Sequence, residues 1–410
     1  MDLIAKAYPP LDQRKPFPIF YQPIVFALTL IPFLLPNRRI IAVFVSLPLL
    51  ILCIQAPRYT AGSAPGDYYG SSTYIAILLW FIEFAICTPE NGPGEPIFIG
   101  APPDVKTSKK ERQAWSHLIS TRQRLNWAFS LMIPSHRGIG WNWQIKNIPS
   151  DPYRHLAKWT YVRKHLTWVL ISYARSVLWL VLLGFSSNLQ GRQGRSIVSV
   201  ETAALNALIG WSGGFWVWDR LSAFYSLLAA ISVAFGVCET WQWPPLMGDI
   251  SKAYSVGNVW SVTYHSIMRK MVSQPALRIT RLLRFRKGGL GSRCSQLFLS
   301  FAFSCLVHQF QMFCVTRRDM GEFAFFMSQP VAIVFEECVR AVWRKMQDRG
   351  QFHGAGLVGK QIGYIWMFLW FSYSLPIYVK GFRDAGTTSD ILFQKGPMDL
   401  GAQLAERYLG

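Results

Sequence analysis

A chain of 410 residues that is 51% hydrophobic and 16% charged, with mean hydropathy +0.20 and 28 Phe, 17 Trp and 16 Tyr, is not composed like a soluble enzyme. Its separate apolar runs are those of a polytopic membrane protein. The net charge of +20 sits in the polar loops between those runs, where it can set topology, meet anionic headgroups or bind an anionic substrate such as coenzyme A; without a known binding motif, nucleic acid is not expected as a partner.

Ile19 to Pro36 and Ile40 to Ala56 are apolar runs joined by Asn37-Arg38-Arg39, a pattern that predicts a tight helical hairpin. The first residues show no basic stretch leading into a short apolar run and a small-residue cleavage site, so no removable signal peptide is expected. Ser72 to Thr88 is a third run, and its Glu83 should face the bundle. Pro89 to Lys164 is polar and basic, which by the positive-inside rule places it in the cytosol and the N-terminus in the lumen. Within it, Arg137-Gly-Ile-Gly-Trp-Asn-Trp143 interleaves tryptophan with cations and suits a membrane-water interface or a ligand contact.

His165 to Phe185 predicts a fourth span. Val198 to Cys238 is about two spans long, but Gly210, Gly213-Gly214 and Asp219-Arg220 interrupt it. It reads either as two helices with a short turn or as one span preceded by a re-entrant piece. The single net crossing is preferred, because it keeps the basic segment from Glu239 to Arg293 in the cytosol. Leu297 to Val315, Phe323 to Val339 and, after a basic loop from Arg340 to Lys360, Ile362 to Val379 complete an all-α protein of about eight or nine membrane segments. Four regions follow: N-terminal membrane helices (1–88), a basic cytosolic loop (89–164), a catalytic membrane core (165–380) and a polar tail (381–410), in a multi-pass protein expected in the endoplasmic reticulum. The cysteines at 53, 87, 238, 294, 305, 314 and 338 lie in or beside apolar runs with no Cys-x-x-Cys pair. They read as reduced thiols, with no disulfide frame and no metal site.

The chemistry centres on His308, an expensive residue inside the apolar run from Leu297 to Val315. On a helix, Ser300, Ser304, His308 and Gln311 form one polar stripe that must face protein or water. A neutral imidazole there can accept a proton near pH 7; the alternative is a packing histidine bonded to a carbonyl. The second histidine, His265, lies in a Trp260-x-x-x-x-His265-x-x-x-Arg269 pattern that predicts all three on nearly one helical face. Arg278, Arg281, Arg284 and Arg286 follow at three- and two-residue steps, mostly on one helix side, as in a helix that lies on a membrane or cradles an anion.

These residues resemble the wax-synthase-like branch of the membrane-bound O-acyltransferase superfamily, in particular its fungal secondary-metabolite members. The family's approximate Phe-Trp-Gly-Arg-Arg-Trp-His-Gln pattern is similar to Val259-Trp260-Ser261-Val262-Thr263-Tyr264-His265-Ser266. A Trp-Pro-Pro-Leu-Phe-Gly element resembles Trp243-Pro-Pro-Leu-Met-Gly248, and a later Ser-Gly-Leu-x-His resembles Ser304-Cys305-Leu306-Val307-His308. The resemblance runs from about Arg137 to the last span. Ser261 for Gly, Tyr264 for Trp and Cys305 for Gly depart from the pattern and bear on pocket shape.

The resemblance implies transfer of an acyl group from acyl-CoA, most simply acetyl-CoA, to a hydroxyl of a lipophilic terpenoid or meroterpenoid. His308 would be the general base. His265, with Trp260 and Arg269, would hold the thioester; Ser304, Gln311 and Trp243 would line the substrate site, and the four arginines would meet coenzyme A phosphates. A long-chain wax-ester synthase and a non-enzymatic transporter are the alternatives. A diphosphate-metal enzyme would need Asp-rich sites inside the bundle, and acids such as Asp249 and Glu239 are isolated.

Overall fold

The computed structural model describes residues 7–102, 113–132, 136–192, 199–348, 356–390 and 392–409. Parts of the 89–164 loop, the first residue of the 198–238 segment and residues 349–355 of the Arg340 to Lys360 loop lie outside the described residues. The fold is almost entirely helical. In chain order the long helices are α1 (Tyr21–Leu34), α2 (Arg38–Gln55), α3 (Ala64–Phe81), α4 (Thr121–Met132), α5 (Lys158–Arg192), α6 (Val200–Ala234), α7 (Arg269–Leu282), α8 (Leu290–Thr316), α9 (Glu322–Asp348), α10 (Gly356–Asp384) and α11 (Gly396–Leu409). Two-residue strand pairs join Lys15–Pro16 to Tyr59–Thr60, in parallel, and Ile97–Phe98 to Gln113–Ala114, antiparallel.

Among the described residues, 6 helices are long and apolar enough to cross a membrane: α2, α3, α5, α6, α8 and α10. The expected eight or nine segments overcount for two physical reasons. The hairpin partner α1 has only 14 residues, about 21 Å of helix against a hydrocarbon core of about 30 Å. The run from Phe323 to Val339 belongs to α9, whose second half carries Glu336, Glu337, Arg340 and Arg344.

The 198–238 region is a single unbroken helix from Val200 to Ala234. Its glycines are packing notches, not breaks. A Cβ at Gly213 would lie 2.6 Å from Val379 Cγ2, and one at Gly210 would lie 2.7 Å from Pro376 Cδ, both on α10. Glycine therefore lets α6 and α10 approach, as small residues do between membrane helices. Asp219 in mid-helix is paired with Arg175 and accepts from the Trp179 indole at 2.9 Å, so this charge is satisfied between α5 and α6.

The chain forms two compact units. The first, Met1–Lys146 with Ile267–Asp319, has a core in which Trp80, Phe81, Phe84, Trp127 and Trp141 are buried. The tryptophans of the 137–143 block thus pack inward: Trp141 is edge-on to Trp127 at 5.3 Å, and Trp143 lies 5.0 Å from Phe84. Glu83 is buried on a π-helical turn, Ile82–Cys87, that ends α3. The second unit, Asn147–Ser266 with Met320–Gly410, is built on the long pair α5 and α6, with α10 against α6 and α11 along α5.

Candidate functional site

His308 sits on α8 in the first unit, and its stripe faces the N-terminal end of α3. Tyr68 Oη lies 2.9 Å from His308 Nδ1. One turn on, Gln311 Nε2 donates to the Tyr68 carbonyl at 3.4 Å. Arg14 donates to the Cys314 carbonyl at 2.7 Å and pairs with Asp67 at 2.9 Å. Offsets of three residues from 308 to 311 to 314 put all these contacts on one face of a 3.6-residue helix. Gln311 is buried, His308 and Ser304 are half-buried, and Ser300 turns its hydroxyl back onto the Gln296 carbonyl at 2.7 Å. The stripe therefore divides: 308 to 314 meets protein, while Ser300 bonds within its own helix. Neither Tyr68 nor Asp67 was visible as a site residue in the sequence, because a Tyr-Tyr pair at the start of an apolar run carries no periodic signal.

The cationic residues of α7 and of the turn that follows it belong to the same unit and separate into two groups. Arg278 is held in a fork by Glu83, with Nη2 to Oε1 at 3.0 Å and Nε to Oε2 at 3.2 Å. Arg269 donates to the Lys146 carbonyl at 2.9 Å. Lys270 stands 4.9 Å over the Trp143 ring and 5.4 Å over Phe84. Burial lowers the pKa of its ammonium, a shift that the nearby Glu83 opposes. Arg281, Arg284 and Arg286 are exposed.

The expectation that the four arginines share a helix side is corrected here. The helix stops at Leu282, and Arg284 adopts φ 58, with its N–H on the Arg281 carbonyl and the Phe285 N–H on Thr280. This is a Schellman closure, which turns the chain away after Arg281.

In the second unit Trp243 is buried. Its indole is edge-on to Tyr225 at 5.0 Å, its carbonyl accepts from Tyr161 Oη at 3.3 Å, and the next carbonyl accepts from Tyr225 Oη at 2.7 Å. The Gly248 that closes this Trp-Pro-Pro-Leu-Met-Gly element donates to the Thr263 carbonyl at 2.8 Å. A Cβ there would clash with the Val262 carbonyl, so only glycine lets this element pack against the turn that carries Trp260.

That turn also corrects the sequence reading. Trp260 lies on a short helix that widens into a π turn at Val259–Thr263, Tyr264 is extended, and a new helix starts only at Arg269. Trp260, His265 and Arg269 therefore do not share a helical face, and Arg269 belongs to the first unit. Within the second unit the rings of Trp260, Tyr264 and His265 are in series, with centroids 5.5 Å and 4.4 Å apart.

Two polar residues of α9 hold this turn. Gln329 Oε1 accepts from the indoles of Trp260 at 3.2 Å and Trp370 at 3.1 Å. The Glu336 carboxylate accepts from Val256 N at 2.5 Å, Gly257 N at 3.1 Å, Trp366 Nε1 at 2.9 Å and Arg340 at 3.0 Å. A carboxylate on the exposed N–H groups that open a helix satisfies them and favours the helix dipole. No cluster of His, Cys, Asp and Glu suited to a metal ion occurs among the described residues.

Residues 243–328 match the membrane bound O-acyl transferase family, and every candidate residue named above from Trp243 to Gln311 lies inside that stretch. An acetyltransferase of Hericium erinaceus is 27% identical over 277 residues, 66% of this chain and 68% of that one. An acetyltransferase of Calcarisporium arbuscula is 30% identical over 185 residues, 44% of each chain. An O-mevalon transferase of Penicillium terrestre is 27% identical over 283 residues, 64% of this chain and 63% of that one. The matched stretch thus spans about two thirds of some relatives and less than half of others. No solved structure matches the chain. The family match over 243–328, the fungal relatives and the helices able to cross a membrane together relate this chain to the membrane-bound O-acyltransferases, as an acyltransferase-type membrane protein.

Proposed function

We propose that the chain is an acyl-CoA-dependent O-acyltransferase of the wax-synthase-like type. It moves an acyl group, most simply acetyl from acetyl-CoA, to a hydroxyl of a lipophilic secondary metabolite such as a terpenoid or meroterpenoid. One observation carries the reading: a half-buried imidazole, in contact with a phenol, inside an apolar membrane-spanning helix of the family-matched stretch. An ionisable group at that depth is costly and marks function by default. The relatives of Hericium erinaceus and Calcarisporium arbuscula, both acetyltransferases, support transfer of an acyl group.

A thioester is already activated, so the protein must bring the hydroxyl to it and take one proton. His308 removes the hydroxyl proton as the oxygen attacks the thioester carbonyl. The C–O bond forms, the C–S bond breaks, and the departing thiolate of coenzyme A receives the proton from the imidazolium. Trp260 and His265 are assigned to holding or polarising the carbonyl. Ser304, Gln311 and Trp243 are assigned to shaping the acceptor side, with Gln311 acting through Tyr68. Arg269 is assigned, like Trp260 and His265, to the thioester, and Arg281, Arg284 and Arg286 to the phosphates of coenzyme A arriving from the cytosol at the endoplasmic reticulum membrane. Arg278 can join them only by sharing Glu83.

The broken helix that would favour a transporter is replaced by the unbroken α6. The test is acyl transfer in microsomes carrying the full chain. His308→Ala should lower turnover on the order of a hundredfold or more at normal protein level; near-normal turnover would overturn the assignment. Mass spectrometry of products from acetyl-CoA and palmitoyl-CoA with a panel of alcohols then decides the substrates. Acetyl esters of polycyclic alcohols support the proposal, and esters of fatty alcohols alone would replace it with a wax-ester synthase.

A further inference from the structure

We infer that Tyr68 is a positioning residue for His308: its phenol oxygen accepts the Nδ1–H of the ring, so that Nε2 is left with the lone pair that receives the substrate proton. The inference rests on the reading of His308 as the base. A neutral imidazole has two tautomers, and the hydrogen bond made by one nitrogen selects which of them is present. At 2.9 Å from Nδ1 the Tyr68 oxygen is in place to do this. The tyrosine is itself fixed, being 2% exposed and gripped through its own carbonyl by Gln311 of the same α8 face.

The preceding residue anchors that grip. Asp67 accepts from Thr60 Oγ1 at 2.9 Å, from Ala61 N at 2.5 Å and from Arg14 at 2.9 Å, and Arg14 reaches across to the Cys314 carbonyl of α8. The first turn of α3 is thereby stitched to α8 at 308, 311 and 314. A phenol also fits an apolar helix better than the carboxylate that often orients a histidine. It is uncharged at pH 7, so it directs the ring without placing a desolvated anion beside it.

Tyr68→Phe keeps the ring packing and removes only the oxygen. It should lower kcat by roughly tenfold to a hundredfold, the range for loss of a histidine's orienting partner. KM for acyl-CoA and the unfolding midpoint should hold. In a His308→Ala background the same substitution should cost nothing further, because the group it positions is gone. A merely structural tyrosine would instead add its full loss to that of His308→Ala and move the unfolding midpoint.

Near-normal kcat in Tyr68→Phe beside an inactive His308→Ala overturns the positioning role and leaves the base assignment standing. Near-normal turnover in His308→Ala overturns both. Should Tyr68→Phe fail to accumulate, a fluorinated tyrosine at position 68 keeps the ring and hydroxyl while weakening the acceptor. A kcat that falls with fluorination supports the inference, and an unchanged kcat sinks it.

Discussion

Asp67 in the first unit and Glu336 in the second are both buried carboxylates beside a candidate site residue, and they keep different company. Asp67 neutralises Arg14, whose side chain is only 9% exposed, and takes one backbone N–H. Glu336 takes two backbone N–H groups and an indole, while its arginine, Arg340, is 43% exposed. The first is a buried ion pair whose partners depend on each other; the second is a helix anchor with a solvated counterion. Losing one partner of a buried pair leaves a desolvated charge, whereas an anchor that keeps one oxygen loses only charge-assisted hydrogen bonds.

The comparison can be broken by exchanging each carboxylate. Asp67→Ala should produce the largest loss of stability, about 3–5 kcal/mol. It should also lower kcat by loosening Tyr68, and it should be read by thermal unfolding of the solubilised chain alongside acyl transfer. Glu336→Gln should cost less, about 1.5–3 kcal/mol. Because Glu336 holds the turn carrying Trp260, its kinetic effect should fall on KM for acyl-CoA more than on kcat. If the two substitutions prove equally destabilising, or if Glu336→Gln lowers kcat alone, the distinction between the anchors is wrong.

What could be read beforehand follows from which signals are local. The helical character, the α1–α2 turn at Asn37 and the inward-facing Glu83 were legible, since apolar runs and isolated charges report directly on burial. So was the polar face of α8, because the period from Ser304 to Gln311 is set by the helix itself. Its partner was not, since Tyr68 lies 240 residues earlier in the chain than His308. The glycines of α6 misled because glycine serves both chain breaks and close helix packing, and only the position of α10 tells which. The shared face of Trp260 and Arg269 failed for a local reason: β-branched Val259, Val262 and Thr263 sit where the helix widens and stops. The Schellman turn at Arg284 carried no glycine at its left-handed position to announce it.

The smallest expected effect probes the first unit without touching its ion pair. His136 sits in the loop after α4, at φ 51, with Nε2 bonded to the Met132 carbonyl at 2.7 Å and its ring 5.3 Å from Trp80. Burial lowers its pKa below the ordinary 6.5, although the Met132 bond opposes the shift. The folded state therefore keeps the ring neutral at a pH where the unfolded chain has taken up a proton. Since the unfolded state then binds more protons, stability must fall as pH drops below 6.5, until the folded ring protonates in turn. The slope from this one group cannot exceed about 1.4 kcal/mol per pH unit. His136→Gln retains a donor for the Met132 carbonyl and removes the titration, so its unfolding midpoint should fall less between pH 6.5 and 5 than that of the parent chain, by a few degrees at most. Parallel midpoints across that range would mean that His136 protonates in the folded state as readily as in the unfolded one, and that the acid sensitivity of the first unit lies with its carboxylates.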